Sequence, residues 1–140
     1  MFWDSSALTA LCLPEARSIQ LVALVAADRD VTIWWGSPVE CLSAVYRRHR
    51  ASPLPAPQLT GVLERLRRLI EDVNGIAPTE EVRRRAARLL ATHALRAADA
   101  LQLAAALVWC EDQPADEVLV SLDDRLRDAA LREGFLIEPA

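Results

Sequence analysis

Four carboxylates, Asp4, Glu40, Asp99 and Asp123, stand where this chain could do chemistry. Asp99 is the most conspicuous, because LRAADALQLAAAL (95–107) is otherwise almost wholly Ala and Leu. Asp is a poor helix former, and an ionised carboxylate in an apolar interior is very costly unless something pairs with it. In ideal helix geometry Leu95, Leu103 and Ala106 lie within about 40° of Asp99 around the axis, so its side is expected to face the core. Such a carboxylate must be protonated, paired with Arg96, or joined by other acids around a cation. Clustered carboxylates repel one another and raise their pKa values unless a metal neutralises them. A hard cation such as Mg²⁺ takes oxygen ligands and keeps several waters, so a few carboxylates and a substrate phosphate would complete its shell.

The elements that would position these acids alternate between strand and helix. MFW (1–3) reads as a strand, followed by two segments of helical spacing, SSALTALCL and PEARSIQLVALVAA, the second opened by Pro14. VTIWW (31–35) is β-branched and aromatic and reads as a strand. Helices are expected over SPVECLSAVYRRHR and over 56–73, where Asn74-Gly75 would close the helix in the left-handed manner. ASPLPAP (51–57) reads as a short rigid connector between them. TEEVRRRAARLLATH and AADALQLAAALVWC give two more helices, EVLVSL (117–122) a buried strand, DDRLRDAALREG a helix and FLIEP a last strand. Alternation of this kind predicts one α/β domain over 1–140 with a parallel sheet covered on both faces. In such sheets ligands gather beyond the carboxyl ends of the strands. Asp4 and Asp123 follow strands directly and Glu40 lies in a first helical turn, so three acids are expected at one rim.

Each acid also has a plain structural use. Asp4 and Asp123 can cap the helices they precede. In SPVE, Ser37 fits an N-cap, Pro38 the first helical position and Glu40 the capping-box partner. Asp99 and Gln102 have the same spacing if their helix begins at Ala100. Because helix N-termini carry positive potential, a cap and a metal ligand can be one residue.

Composition narrows the classes. The hydrophobic share is 52% and the charged share 26%, as in a globular protein of 140 residues. No run approaches ~18 apolar residues, so no membrane span is expected, and the acid at Asp4 is unlike a secretory leader. Cys12, Cys41 and Cys110 are odd in number and lack a CxxC spacing, which suits buried thiols in a cytoplasmic setting. His49 and His93 are too few and too far apart for a zinc site. Trp3, Trp34, Trp35 and Trp109 are expected to pack the core or a dimer face. Every basic residue is Arg, which removes the P-loop nucleotidases and the lysine-dependent receiver and dehalogenase-like phosphatase classes. A net charge of −4 argues against a partner held by bulk charge alone.

Four motifs in order, FWDSSAL (2–8), SPVECLSAV (37–45), HALRAADALQLAAAL (93–107) and LVSLDDRLRDAALREGF (119–135), give the chain a family likeness. It resembles a PIN-domain ribonuclease, specifically a VapC-type toxin of a toxin–antitoxin pair. The third motif is the most specific, with Leu95, Arg96, Asp99, Ala100, Leu103 and Ala104 all fitting. The resemblance implies a three-layer α/β/α, Rossmann-like fold and a Mg²⁺- or Mn²⁺-dependent endoribonuclease. It further implies a homodimer and inhibition by a partner antitoxin. The family's acids map onto Asp4, Glu40, Asp99 and Asp123; the neighbouring Asp124 departs from the family pattern, and SLD favours Asp123. Asp4 and Asp99 are then expected as direct metal ligands, with Glu40 and Asp123 acting through water or on a second ion. Ser5, Ser6 and Ser121 would support the waters, and Arg47, Arg48, Arg50 or the face over 83–88 would hold the RNA backbone. Two other readings keep much of this: a non-catalytic PIN-like binding module whose acids only cap helices, and a DNA- or structure-specific nuclease with the same site.

Overall fold

Five short strands, β1 (Phe2–Trp3), β2 (Thr32–Trp34), β3 (Asn74–Ile76), β4 (Val118–Val120) and β5 (Leu136–Glu138), form one all-parallel sheet ordered β3-β2-β1-β4-β5. The computed structural model describes residues 1–13 and 18–140. Its helices are α1 (Ser5–Cys12), α2 (Ser18–Ala27), α3 (Ser37–Ala51), α4 (Ala56–Glu71), α5 (Glu80–Thr92), α6 (Ala97–Trp109) and α7 (Asp124–Glu133). Successive strand residues point to opposite faces. Trp3, Ile33 and Val120 pack with α1 to α4, whereas Phe2, Trp34 and Leu119 pack with α5 to α7. This is the three-layer α/β/α arrangement read from the sequence.

The strand order explains where a site can form. From β1 the chain moves outward through β2 to β3, then returns past β1 to β4 and β5. Crossovers of one hand place the helices of the two excursions on opposite faces. The sheet therefore has its reversal point between β1 and β4, where the connections leaving their carboxyl ends diverge and leave a crevice.

The structure departs from the expectations in three places. Asn74-Gly75 does not close a helix: α4 ends at Glu71, and Asn74 N–H donates to Val31 O at 2.9 Å, opening β3 at the sheet edge. Asn74 and Gly75 are exposed, so no apolar alternation marked this strand. Second, α3 begins at Ser37 with Gly36 at its N-cap, and no side chain caps it. Third, α6 begins at Ala97, as AADALQLAAALVWC reads, so the Asp99–Gln102 capping box that required a start at Ala100 does not form and Asp99 lies in the first turn. The proposed opening of α2 at Pro14 falls outside the described residues. A left-handed Gly134, φ 107°, ends α7 and turns the chain into β5. Among the described residues, no helix is long and apolar enough to cross a membrane.

Candidate functional site

Asp4 leaves β1 at the reversal point, and its backbone N–H donates to Val120 O at 2.9 Å. Its carboxylate caps α1: Oδ2 accepts from Ser6 N–H at 3.1 Å, from Ser121 Oγ–H at 3.0 Å and from Ser6 Oγ–H. Each hydroxyl also accepts an amide from the β4–α7 turn, Ser6 Oγ from Leu122 at 2.9 Å and Ser121 Oγ from Asp123 at 3.1 Å. The serines thus hold Asp4 and the turn together. Asp4 is only 4% exposed. Burial pushes its carboxyl above the ordinary aspartate value; the Ser6 and Ser121 hydrogen bonds oppose that, and the charge of Glu40 adds to it.

Glu40 projects from the first turn of α3 and does not close a capping box. Its Oε2 accepts from Ser5 Oγ–H at 3.0 Å and from the Gln102 side-chain amide at 3.1 Å. Ser37, expected as a cap, instead exchanges hydrogen bonds with Gln102. Ser5 Oγ also lies 3.3 Å from Asp4 Oδ1, so one hydroxyl stands between two carboxylates and can give its proton to only one of them.

Asp99 is half-buried at the edge of the core. Leu103 and Ala106 on its side of α6 are fully buried, but the same stripe emerges from the core one turn earlier, at Asp99. Its carboxylate accepts from Arg96 N–H at 3.1 Å, half of a capping box, since an Arg side chain has no acceptor to complete it. Asp123 caps α7, with Oδ1 accepting from Arg125 N–H at 2.9 Å and Leu126 N–H at 3.1 Å.

All four acids line one open cavity of about 430 Å³, together with Ser5, Ser6, Thr9, Ser43, Arg47 and Arg96. Asp124 is exposed and absent from the lining, so the cavity takes Asp123 of that pair. A larger cavity of about 540 Å³ between α1, α2 and α4 is lined mainly by apolar side chains and holds one acid, Asp72. The donors facing the acid cavity are oxygens, carboxylate and hydroxyl, a set suited to a hard cation. Among the described residues no three His, Cys, Asp or Glu side chains are grouped closely enough to ligate one ion. That does not suit zinc, which wants four protein or water ligands at close range.

Sequence reasoning passed over two residues as functional: Arg96, which lines the cavity, and Gln102, which lies buried behind it and donates to Glu40. The signal available for Gln102 was a polar side chain in a helix otherwise almost wholly of Ala and Leu. Elsewhere the expectations divide. Cys12 and Cys41 are buried, Cys110 is half-buried and all three are free. Trp3 and Trp34 are core residues and Trp109 packs against the core, but Trp35 is 64% exposed. His49 accepts from Leu54 N–H, and His93 pairs with Glu133 at 2.7 Å. Arg83, Arg85 and Arg88 are held in ion pairs with Glu80, with Glu81 and Asp112, and with Glu133. Arg85 and Arg88 thereby tie α5 to its neighbours, Arg83 pairs within α5, and Arg47 lines the acid cavity.

The class defined by this sheet order and layering is the PIN-like α/β fold. Among solved structures the chain is similar to that of FitAcB from Neisseria gonorrhoeae, with a TM-score of 0.66 and 17% identity over 97% of this chain and 94% of that one. No family model and no curated protein sequence matches the chain.

Proposed function

We propose that this protein is a divalent-metal-dependent endoribonuclease of the VapC type, the toxin of a toxin–antitoxin pair. The observation that carries the reading is the convergence of Asp4, Glu40, Asp99 and Asp123, from four separate segments, on one cavity at the reversal point of the sheet. Asp4 and Asp99 would hold Mg²⁺ or Mn²⁺ directly, and Glu40 and Asp123 through water. When bound, the cation supplies a Lewis acid and lowers the pKa of a coordinated water. Glu40 Oε1, not engaged by Ser5 or Gln102, would take a proton from the attacking water. Arg47 and Arg96 line the same cavity and would hold backbone phosphates on either side of the scissile bond. Trp35, Val39, Leu42 and Tyr46 leave an exposed apolar surface along the start of α3, which supports a homodimer. An antitoxin partner follows from the motif resemblance.

The test is cleavage of total RNA by the purified chain with Mg²⁺ or Mn²⁺, with Asp4→Asn and Asp99→Asn as controls and single-stranded and flapped DNA as competing substrates. Metal-dependent RNA cut lost in both variants supports the reading. Cleavage of DNA alone would move the site to a structure-specific nuclease, and no cleavage with either metal would overturn it. One observation favours a non-catalytic module: Asp4, Asp99 and Asp123 each accept amides at helix starts. That reading predicts no heat of Mn²⁺ binding in calorimetry.

A further inference from the structure

Gln102 is 1% exposed in the middle of α6, one turn beyond Asp99. A buried amide in an Ala- and Leu-rich helix is costly unless both of its halves find partners. Resting on the reading of Glu40 as part of a cation site, we propose that Gln102, locked by Ser37, is a positioning residue that holds Glu40 by Oε2 and aims Oε1 into the cavity.

The orientation of the amide follows from its two neighbours. Ser37 Oγ–H donates to Gln102 Oε1 at 3.2 Å, and Gln102 Nε2 lies 3.0 Å from Ser37 Oγ and 3.1 Å from Glu40 Oε2. With the amide reversed, its carbonyl oxygen would face the Glu40 carboxylate, two acceptors with no proton between them. Only one orientation satisfies both groups, and in it the amide donates to Glu40. Ser37 is itself fully buried and caps nothing, although it sits at the start of α3 where a serine ordinarily would. Its hydroxyl is spent on Gln102. An apolar side chain of similar volume would fill the same space without the desolvation cost, so packing alone does not account for an amide here. Helix α6 thus brings two groups to the site, an acid at its first turn and the holder of a second acid one turn later.

The experiment is a double-mutant cycle on the full chain, reading Mn²⁺ affinity by calorimetry for wild type, Gln102→Met, Glu40→Gln and the double variant. Gln102→Met is expected to weaken Mn²⁺ about 10-fold, as loss of a group that orients a ligand does. In the Glu40→Gln background the same change should cost less than about 2-fold, because it acts through Glu40. Equal losses in both backgrounds would overturn the proposal and leave Gln102 a packing residue. If Gln102→Met does not fold, Ser37→Ala, which frees the amide to turn, takes its place in the cycle. If wild type binds no Mn²⁺, the cation reading falls, and the clamp is decided by the same cycle read in melting temperature with chelator present. Non-additive shifts there would sustain it and additive shifts would overturn it.

Discussion

Asp4→Asn should make the metal-free protein more stable while removing its response to metal. Asp4 and Glu40 face each other across the Ser5 hydroxyl, 3.3 Å from one carboxylate and 3.0 Å from the other. Two charges roughly 6 Å apart at an effective dielectric of about 20 repel by about 3 kcal/mol. Burial of Asp4 adds a cost, and the partial exposure of Glu40 screens some of the repulsion. Opposing these, a negative charge at the start of α1 gains only about 0.3–1 kcal/mol from the helix dipole. Asparagine keeps the acceptor used by Ser6 and Ser121, caps as well as aspartate, and presents an amide to Ser5 so that its proton can go wholly to Glu40. A net gain of about 1–2 kcal/mol remains, which is about 3–6 °C in melting temperature for a chain of this size. The sign with pH follows from the raised pKa of Asp4. The folded protein holds that proton more tightly than the unfolded chain, so the group favours folding below the ordinary value of 3.8 and ceases to do so once pH has risen through the folded value. The gap between variant and wild type should therefore be widest at neutral pH and close toward pH 4. With Mn²⁺ at about 100 times its dissociation constant, wild type should gain about 2.7 kcal/mol and the variant almost nothing, reversing their order. Scanning calorimetry with chelator and with Mn²⁺ reads all of this. A variant that melts below wild type in chelator, by a margin indifferent to pH, would refute the reasoning and make Asp4 a cap whose charge is welcome.

The other expected outcomes are simpler. Asp99→Asn, at a half-buried position, should change stability by no more than about 0.5 kcal/mol yet lower RNA cleavage by on the order of 10²-fold or more, read as kcat/KM on a short oligonucleotide beside a thermal melt. Glu133→Gln should destabilise at pH 7 by about 1–2 kcal/mol, because Glu133 joins Arg88 at 2.8 Å and His93 at 2.7 Å. Burial raises the Glu133 pKa, but the Arg88 and His93 hydrogen bonds outweigh it and hold it below 4.5, so this contribution is present above that value and fades as pH falls through the folded one. Urea unfolding at pH 7 and pH 4 would show the difference between the two proteins shrink. Gly134→Ala should cost about 1–2 kcal/mol, since φ is 107° and a Cβ there would meet Pro114 Cγ at 3.2 Å; a melting temperature within about 1 °C of wild type would contradict it.

What the sequence made legible, and what it hid, divides along physical lines. The rim positions of Asp4 and Asp123 and the helix–strand alternation were readable because each rests on local signals: an acid directly after an apolar run, and a period that changes from two to about 3.6. Strand β3 was not, because an exposed edge strand of Asn, Gly and Ile needs no inward face, and Asn-Gly carries a strong signal for a different structure. The environment of Asp99 was misjudged for a related reason. Its stripe of neighbours on α6 is indeed core at Leu103 and Ala106, but a periodicity states direction around an axis and says nothing of how far along the axis the core extends. The roles of Ser37 and Gln102 were hidden by distance, since 65 residues separate two side chains whose pairing only the packed sheet creates. Capping spacings supplied a local explanation for both, and the fold took neither. Glu40 and Asp123 make the contrast plain. Both fit a helix-start pattern, yet Asp123 caps α7 through Oδ1 while Glu40 turns away from its own helix toward Ser5 and Gln102. A capping motif therefore marks where a carboxylate begins, at the positive end of a helix beyond a strand, and the surrounding donors decide whether it serves the helix, the cavity or both.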